Sequence, residues 1–81
     1  MKKHEYKFQV ASDVSSRDGI GIEYYRDEEI IIEIFRDDMK KTREVTLYEK
    51  DIPLDVVENS IQIFKEKIDW EFIDYNKLEN E

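Results

Sequence analysis

The stretch from Gly19 to Asp38, GIGIEYYRDEEIIIEIFRDD, most constrains what this chain can become. Two apolar runs alternate with polar residues around a short charged turn, the pattern of strands that each press one face on a core. Ile20, Ile22 and Tyr24 share a face of the first run. Ile30, Ile32 and Ile34 share a face of the second, and Ile31, Glu33 and Phe35 share the opposite one. Runs this close can pair only as an antiparallel hairpin. Parity then sets the register. An even-numbered loop places Glu33 beside Ile20, Ile22 and Tyr24 and buries a carboxylate, which costs several kcal/mol. An odd loop of three or five residues brings Ile30, Ile32 and Ile34 to that face and leaves Glu33 in solvent. The turn RDEE also lacks the Asn-Gly or Asp-Gly of a tight two-residue turn. An odd loop and an exposed Glu33 are therefore expected.

The flanking segments extend the same logic. HEYKFQVA alternates, with Tyr6, Phe8 and Val10 on one side. SDVSSRDG, rich in turn residues, reads as the longest and most mobile loop. REVTLYEK alternates again, with Val45 and Leu47 against Thr46 and Tyr48, and pairing Ile34 with Val45 and Ile32 with Leu47 keeps the aliphatic face continuous. In DIPLDVVENSIQIFKEKID the period lengthens to three and four. Leu54, Val57, Ile61, Phe64 and Ile68 form a helical stripe, which Val56 and Ile63 widen. Pro53 suits the first helical position, Asp55 and Glu58 the positive N-terminal end, and Lys65 and Lys67 the C-terminal end. WEFIDY, Trp70 to Tyr75, is expected either to add a short fifth strand or to lie across the helix, and residues 76–81 to fray.

The expected fold is one α+β domain over residues 1–81: a four-stranded antiparallel β-meander with a C-terminal helix packed on one face. That face should comprise Tyr6, Phe8, Val10, Ile20, Ile22, Tyr24, Ile30, Ile32, Ile34, Val45 and Leu47. At 81 residues the core is thin, so a partner or a second copy would add stability.

Charge narrows the partner classes. The formal net charge is −8. Residues 1–50 hold ten Lys/Arg against twelve Asp/Glu, and residues 51–81 hold three against nine. The acidity thus belongs to the C-terminal third, where it repels phosphate backbones and anionic lipid. Nucleic acid and membrane are not expected as partners; a protein with a basic surface is. With no cysteine there is no disulfide, thiolate nucleophile or zinc–thiolate site. No apolar run approaches the ~18 residues of a membrane span, and the N-terminal segment lacks an apolar h-region, so no signal peptide is expected and the cytosol is the expected compartment.

Candidate chemistry is sparse. His4 is the only histidine and reads as a solvated residue rather than a base or ligand. Asp27, Glu28 and Glu29, like Asp37 and Asp38, fall at hairpin tips without the spacing of a calcium loop. Gly19 and Gly21 lead into a strand, not a helix, which excludes a phosphate loop. Ser15 and Ser16 have no base partner. No metal, cofactor or catalytic residue is expected. The sheet face away from the helix, in contrast, collects Tyr25, Ile31, Phe35 and Tyr48, interleaved with Glu23, Glu33 and Glu44. The glutamates rule out base stacking along a phosphate backbone. Aromatic anchors among polar groups suit a protein interface. The expectation is a non-catalytic protein-binding module, of the inhibitor, antidote or regulatory-subunit type, using that open face and the acidic C-terminal third. The alternative is a homodimer joined through the same aromatic face.

Overall fold

The computed structural model describes residues 3–74. Four strands, β1 (Tyr6–Asp13), β2 (Gly19–Arg26), β3 (Glu29–Asp37) and β4 (Thr42–Leu47), precede one helix, α1 (Leu54–Lys67). The strands form one antiparallel sheet in the order β1-β2-β3-β4, a meander in which each strand pairs with its sequence neighbour. Ile32 pairs with Leu47 and Ile34 with Val45, as the aliphatic pattern requires. No strand occurs among the described residues after β4: residues 68–74 are irregular, and Tyr75 and residues 76–81 lie outside the described range.

The central hairpin solves its parity problem differently from the expectation. The β2–β3 loop has two residues, not three or five. Arg26 pairs with Glu29, and Asp27 and Glu28 both take positive φ, 52° and 74°, the geometry of a type I′ turn. The turn is pinned from outside. Asp27 N–H donates to the Glu5 carbonyl at 2.8 Å, Glu5 N–H donates to Asp27 Oδ1 at 2.9 Å, and Lys7 Nζ donates to Glu28 Oε1 at 2.9 Å. Parity is restored inside the strand. The register shifts between Tyr24 and Tyr25, so Ile31 is an extra residue in β3, a β-bulge. Ile30 therefore joins Tyr25 on the far face, while Ile31 and Ile32 both enter the core beneath the helix. The expected sides of Ile30 and Ile31 are thus exchanged.

The helix lies on β2 and β3. Its buried line is Val56, Ser60 and Phe64, with Val57 and Ile63 partly covered, and the core they close holds Ile22, Tyr24, Ile31, Ile32, Ile34 and Ile68. The helix is thus rotated from the expected stripe: Phe64 is central, while Leu54 and Ile61 are exposed. Ser60 is the reason the rotation is tolerated. It is small enough to sit fully buried between the helix and the sheet, and its hydroxyl is satisfied by the Val57 carbonyl at 2.7 Å. Pro53 occupies the N-cap rather than the first turn, and its carbonyl accepts the N–H groups of Val56 and Val57.

Candidate functional site

Two surfaces need description: the sheet face away from the helix, where binding residues were expected, and the helix side, where a closed core was expected.

On the far face, register sets Gln9, Glu23, Glu33 and Thr46 in one row and Ala11, Gly21, Phe35 and Glu44 in the next. Gly21 carries no side chain because β3 comes too close; a Cβ there would stand 2.1 Å from the Ile34 carbonyl oxygen. With Ala11 beside it, the second row is a trough over which the β1–β2 loop folds. Arg17 of that loop stacks its guanidinium 3.9 Å from the Phe35 ring centroid and forks onto Glu33 at 3.1 and 3.0 Å, with a third contact to Asp13 at 3.3 Å. Phe35 is only 2% exposed and Glu33 9%. Glu33 is therefore buried and paired, which corrects the expectation of a solvated Glu33, and the loop expected to be most mobile is the one that seals this face.

The remaining expected binding residues are placed as follows. Tyr25 is half-buried; its hydroxyl donates to Glu23 at 2.9 Å, and Gln9 donates to the same Glu23 oxygen at 2.5 Å. The Glu23 carboxylate holds the Tyr25 phenol above its ordinary pKa. Glu44 accepts from the Thr42 hydroxyl at 2.7 Å and pairs with Lys40, which lowers its pKa. Ile31 is not on this face at all but in the core under the helix. Tyr48 lies just beyond β4 with its ring exposed, and its N–H donates to the Ile31 carbonyl at 2.9 Å. The structure thus brings Glu23, Tyr25, Glu33, Phe35 and Glu44 together on one face, and most of their polar atoms are already engaged within the chain.

The helix side has the opposite character. Its cross-strand rows read Phe8–Tyr24–Ile32–Leu47 and Val10–Ile22–Ile34–Val45. A helix is about 10 Å wide and strands are about 4.8 Å apart, so one helix shields two strands and no more. The outer members of each row stay open. Tyr6, Phe8 and Val10 on β1 are 37, 39 and 48% exposed, and Val45 and Leu47 on β4 are 52 and 55% exposed.

The two open flanks differ. Asn59 donates to the Tyr24 hydroxyl at 2.6 Å, and Tyr6 stacks on Tyr24 at 5.8 Å between centroids, which turns the Asn59 side of the helix toward β1. Helical spacing then puts Asp55 and Glu66 along that border. On the other side, Trp70 meets Phe64 edge-on at 6.4 Å and carries the Arg43 guanidinium at 3.8 Å, which turns the Phe64 side toward β4. Leu54, Val57 and Ile61 share that border. The β1 flank carries Tyr6 and Phe8, with the Lys67 ammonium 6.0 Å from the Phe8 ring centroid; the β4 flank carries Val45 and Leu47, with Trp70 and Phe72 stacked on Arg43 at one end.

At the far end of the helix side, a buried pair holds the C-terminal segment. Arg36 forks onto Asp38 at 2.8 and 3.1 Å and donates to the Asp69 carbonyl at 2.7 Å, while Ile73 N–H donates to Asp38. Arg43 and Lys41 add bonds to the carbonyls of Trp70 and Ile73. The described part of WEFIDY therefore straps the helix side and does not cover the aromatic face.

Catalytic or metal chemistry has little to work with. His4 Nδ1 sits 2.7 Å from Asp27 Oδ2 in an exposed turn contact. A depression of about 470 Å³ between the two loop tips is lined by Arg17, Asp18, Asp37, Met39 and Lys40 among others, and Asp37 Oδ1 there already accepts the N–H groups of Met39 and Lys40. Among the described residues no group of three or more His, Asp or Glu could hold a metal ion, and no helix is long and apolar enough to cross a membrane.

Sequence reasoning missed Arg17 and the open flanks. One signal for the flanks was present: four apolar strand faces and only one helix to cover them. No protein-family model matches this chain, and neither does any curated protein or solved structure.

Proposed function

We propose that this protein is a non-catalytic protein-binding module whose contact surface is the β1 flank of the helix side. The observation that supports the reading is the partial exposure of Tyr6, Phe8 and Val10, side chains that belong by register to the core face yet lie beyond the helix that covers its centre. Aromatic side chains in an open strip are typical anchors of an interface. Helical spacing turns Asp55 and Glu66 to this side of the helix, Lys67 stands 6.0 Å from the Phe8 ring centroid, and the whole chain carries a net charge of −8. The partner is therefore a protein that offers an apolar patch ringed by Lys or Arg; the charges set its on-rate and the aromatic strip its lifetime. A dimer or partner joined through the aromatic far face would need Arg17 to leave Phe35 and Glu33 first, so that surface is the weaker candidate.

The test is comparative capture with mass-spectrometric identification, using the wild type and Phe8→Ser/Val10→Ser. A basic protein retained by the wild type should be lost from the double variant, and its retention should fall as salt rises from roughly 50 to roughly 500 mM. Equal retention by both baits would remove β1 from the interface.

A further inference from the structure

We propose that a second copy of this chain pairs with the β4 edge, in a two-fold register centred on Thr46, to make a continuous eight-stranded sheet. This goes beyond the β1 reading and uses the opposite edge, so either can fail without the other.

Tyr48 N–H donates to the Ile31 carbonyl, in register with the rest of the β3–β4 ladder. Alternate residues of an antiparallel strand point their N–H and C=O the same way. Thr42, Glu44 and Thr46 therefore bond to β3, and Arg43, Val45 and Leu47 turn their backbone groups to the open edge. β4 is the last strand of the sheet, and it contains neither proline nor a bulge, two of the devices that protect natural edges.

Two copies of β4 related by a two-fold axis must set outward-facing residues opposite one another, and few registers do so. Centred on Glu44, the pairing opposes Glu44 to itself. Centred on Val45, it opposes the charged Arg43 to Leu47 twice. Centred on Thr46, it opposes Val45 to Leu47 twice and Thr46 to Thr46 once. At the strand ends the same register brings Arg43 toward Glu49 of the other copy, twice, and sets Glu44 against the neutral Tyr48. Glu49 already holds Arg26, so it would bridge two guanidinium groups.

The β4 flank fits this occupant. Both helices lie on the same side of the joined sheet. Each sits over β2 and β3, so their axes fall about four strand spacings, or about 19 Å, apart. Two helices about 10 Å wide leave a trough of about 9 Å. Val45, Leu47, Leu54 and Ile61 from each copy, all exposed in the single chain, line it, and Trp70 and Phe72, stacked on Arg43, flank it at the Arg43 end.

The experiment exploits the absence of cysteine. In the Thr46-centred register, Thr46 forms a non-hydrogen-bonded pair with itself, with Cα atoms about 4.5 Å apart, inside the range a disulfide spans. Thr46→Cys, Val45→Cys and Gln9→Cys would be oxidised at equal concentration, Gln9 serving as an edge position on β1. Thr46→Cys should cross-link at least roughly tenfold faster than either other variant. Sedimentation of the unmodified protein at roughly 100 µM should give about twice the 9.9 kDa chain mass. Val45→Lys should return it to a monomer with an unchanged circular dichroism spectrum, and with a melting temperature that no longer rises with protein concentration. A monomeric wild type at that concentration, equal linking of all three cysteine variants, or fastest linking at Gln9→Cys would overturn the proposal. Fastest linking at Val45→Cys would overturn the register.

Discussion

The two faces of the sheet divide the molecule's apolar and polar groups in ways their sequences conceal. The helix side carries nearly all the aliphatic surface and is closed only at its centre, over Ile22, Tyr24, Ile32 and Ile34. The far face carries glutamates and looks solvated, yet Arg17 closes it over Phe35 and Glu33. Alternation assigns a side chain to a face. It does not say whether that face has a cover, because cover depends on the width of the helix and on where one long loop side chain lands. On this protein the apolar face is covered only at its centre and stays open along β1 and β4.

The sharpest way to break the comparison is at the centre of the helix side. Phe64→Ala should cost about 3–5 kcal/mol, since Phe64 is fully enclosed by the sheet and Trp70. The variant should unfold far below the wild type in a thermal melt, and a melting temperature within a degree of wild type would mean the helix is not docked as described.

Next in size is the seal on the far face. Arg17→Ala leaves Glu33 without its fork and uncovers Phe35, and should cost about 1–3 kcal/mol in chemical denaturation. Arg17 is itself about a third exposed (31%), so solvent screens part of the ion pair. A double-mutant cycle with Glu33→Gln should accordingly return a coupling of about 1 kcal/mol. A coupling of zero would mean the far face is as open as its composition suggests.

The flanks should be cheap to change. Phe8→Ser and Val10→Ser remove side chains that are already substantially in water, and each should cost about 1 kcal/mol or less. If either matched Phe64→Ala in urea titrations, β1 would be core and not surface.

The smallest effect concerns the root of the sealing loop. The Ser15 backbone N–H, then the Ser15 hydroxyl, hold the Asp13 carboxyl at about 2, below its ordinary value. A depressed carboxylate pKa contributes stability above the unfolded value of about 4 and loses it as pH falls through the folded one. Loop order should therefore persist at pH 5 and decline between about pH 4 and pH 2, and Asp13→Asn should flatten that decline in an amide-exchange profile.

How much of this was legible in the sequence depends on the kind of rule involved. Periodicity found all four strands, the helix and the pairing of β3 with β4, because a buried face leaves a period-two or period-3.6 trace. It also recognised that Glu33 could not sit beside Ile22 and Tyr24. The device that prevents it, an extra residue at Ile31 rather than an odd loop, left no trace, since IIIEIF offers three successive isoleucines and any of them could be the bulge. The two-residue turn was missed because Asp27 and Glu28 take positive φ under external bonds from Glu5 and Lys7, which lie more than twenty residues away in sequence. The helix was rotated by a buried serine, and serine carries no apolar signal. Among the expected site residues, Tyr25, Phe35, Glu23, Glu33 and Glu44 do gather on one face. Arg17 was invisible as their partner because nothing in SDVSSRDG announces where its one long side chain will reach.

The central claim is that the helix side is open at its edges while Arg17 seals the far face over Phe35 and Glu33, and side-chain footprinting with hydroxyl radicals reads it directly. Phe8 and Phe35 have the same chemistry and differ in cover, 39% against 2% exposed. On the purified protein Phe8 should oxidise readily and Phe35 should be protected, and Arg17→Ala should remove that protection. Oxidation of Phe35 as fast as Phe8 in the wild type would contradict the account.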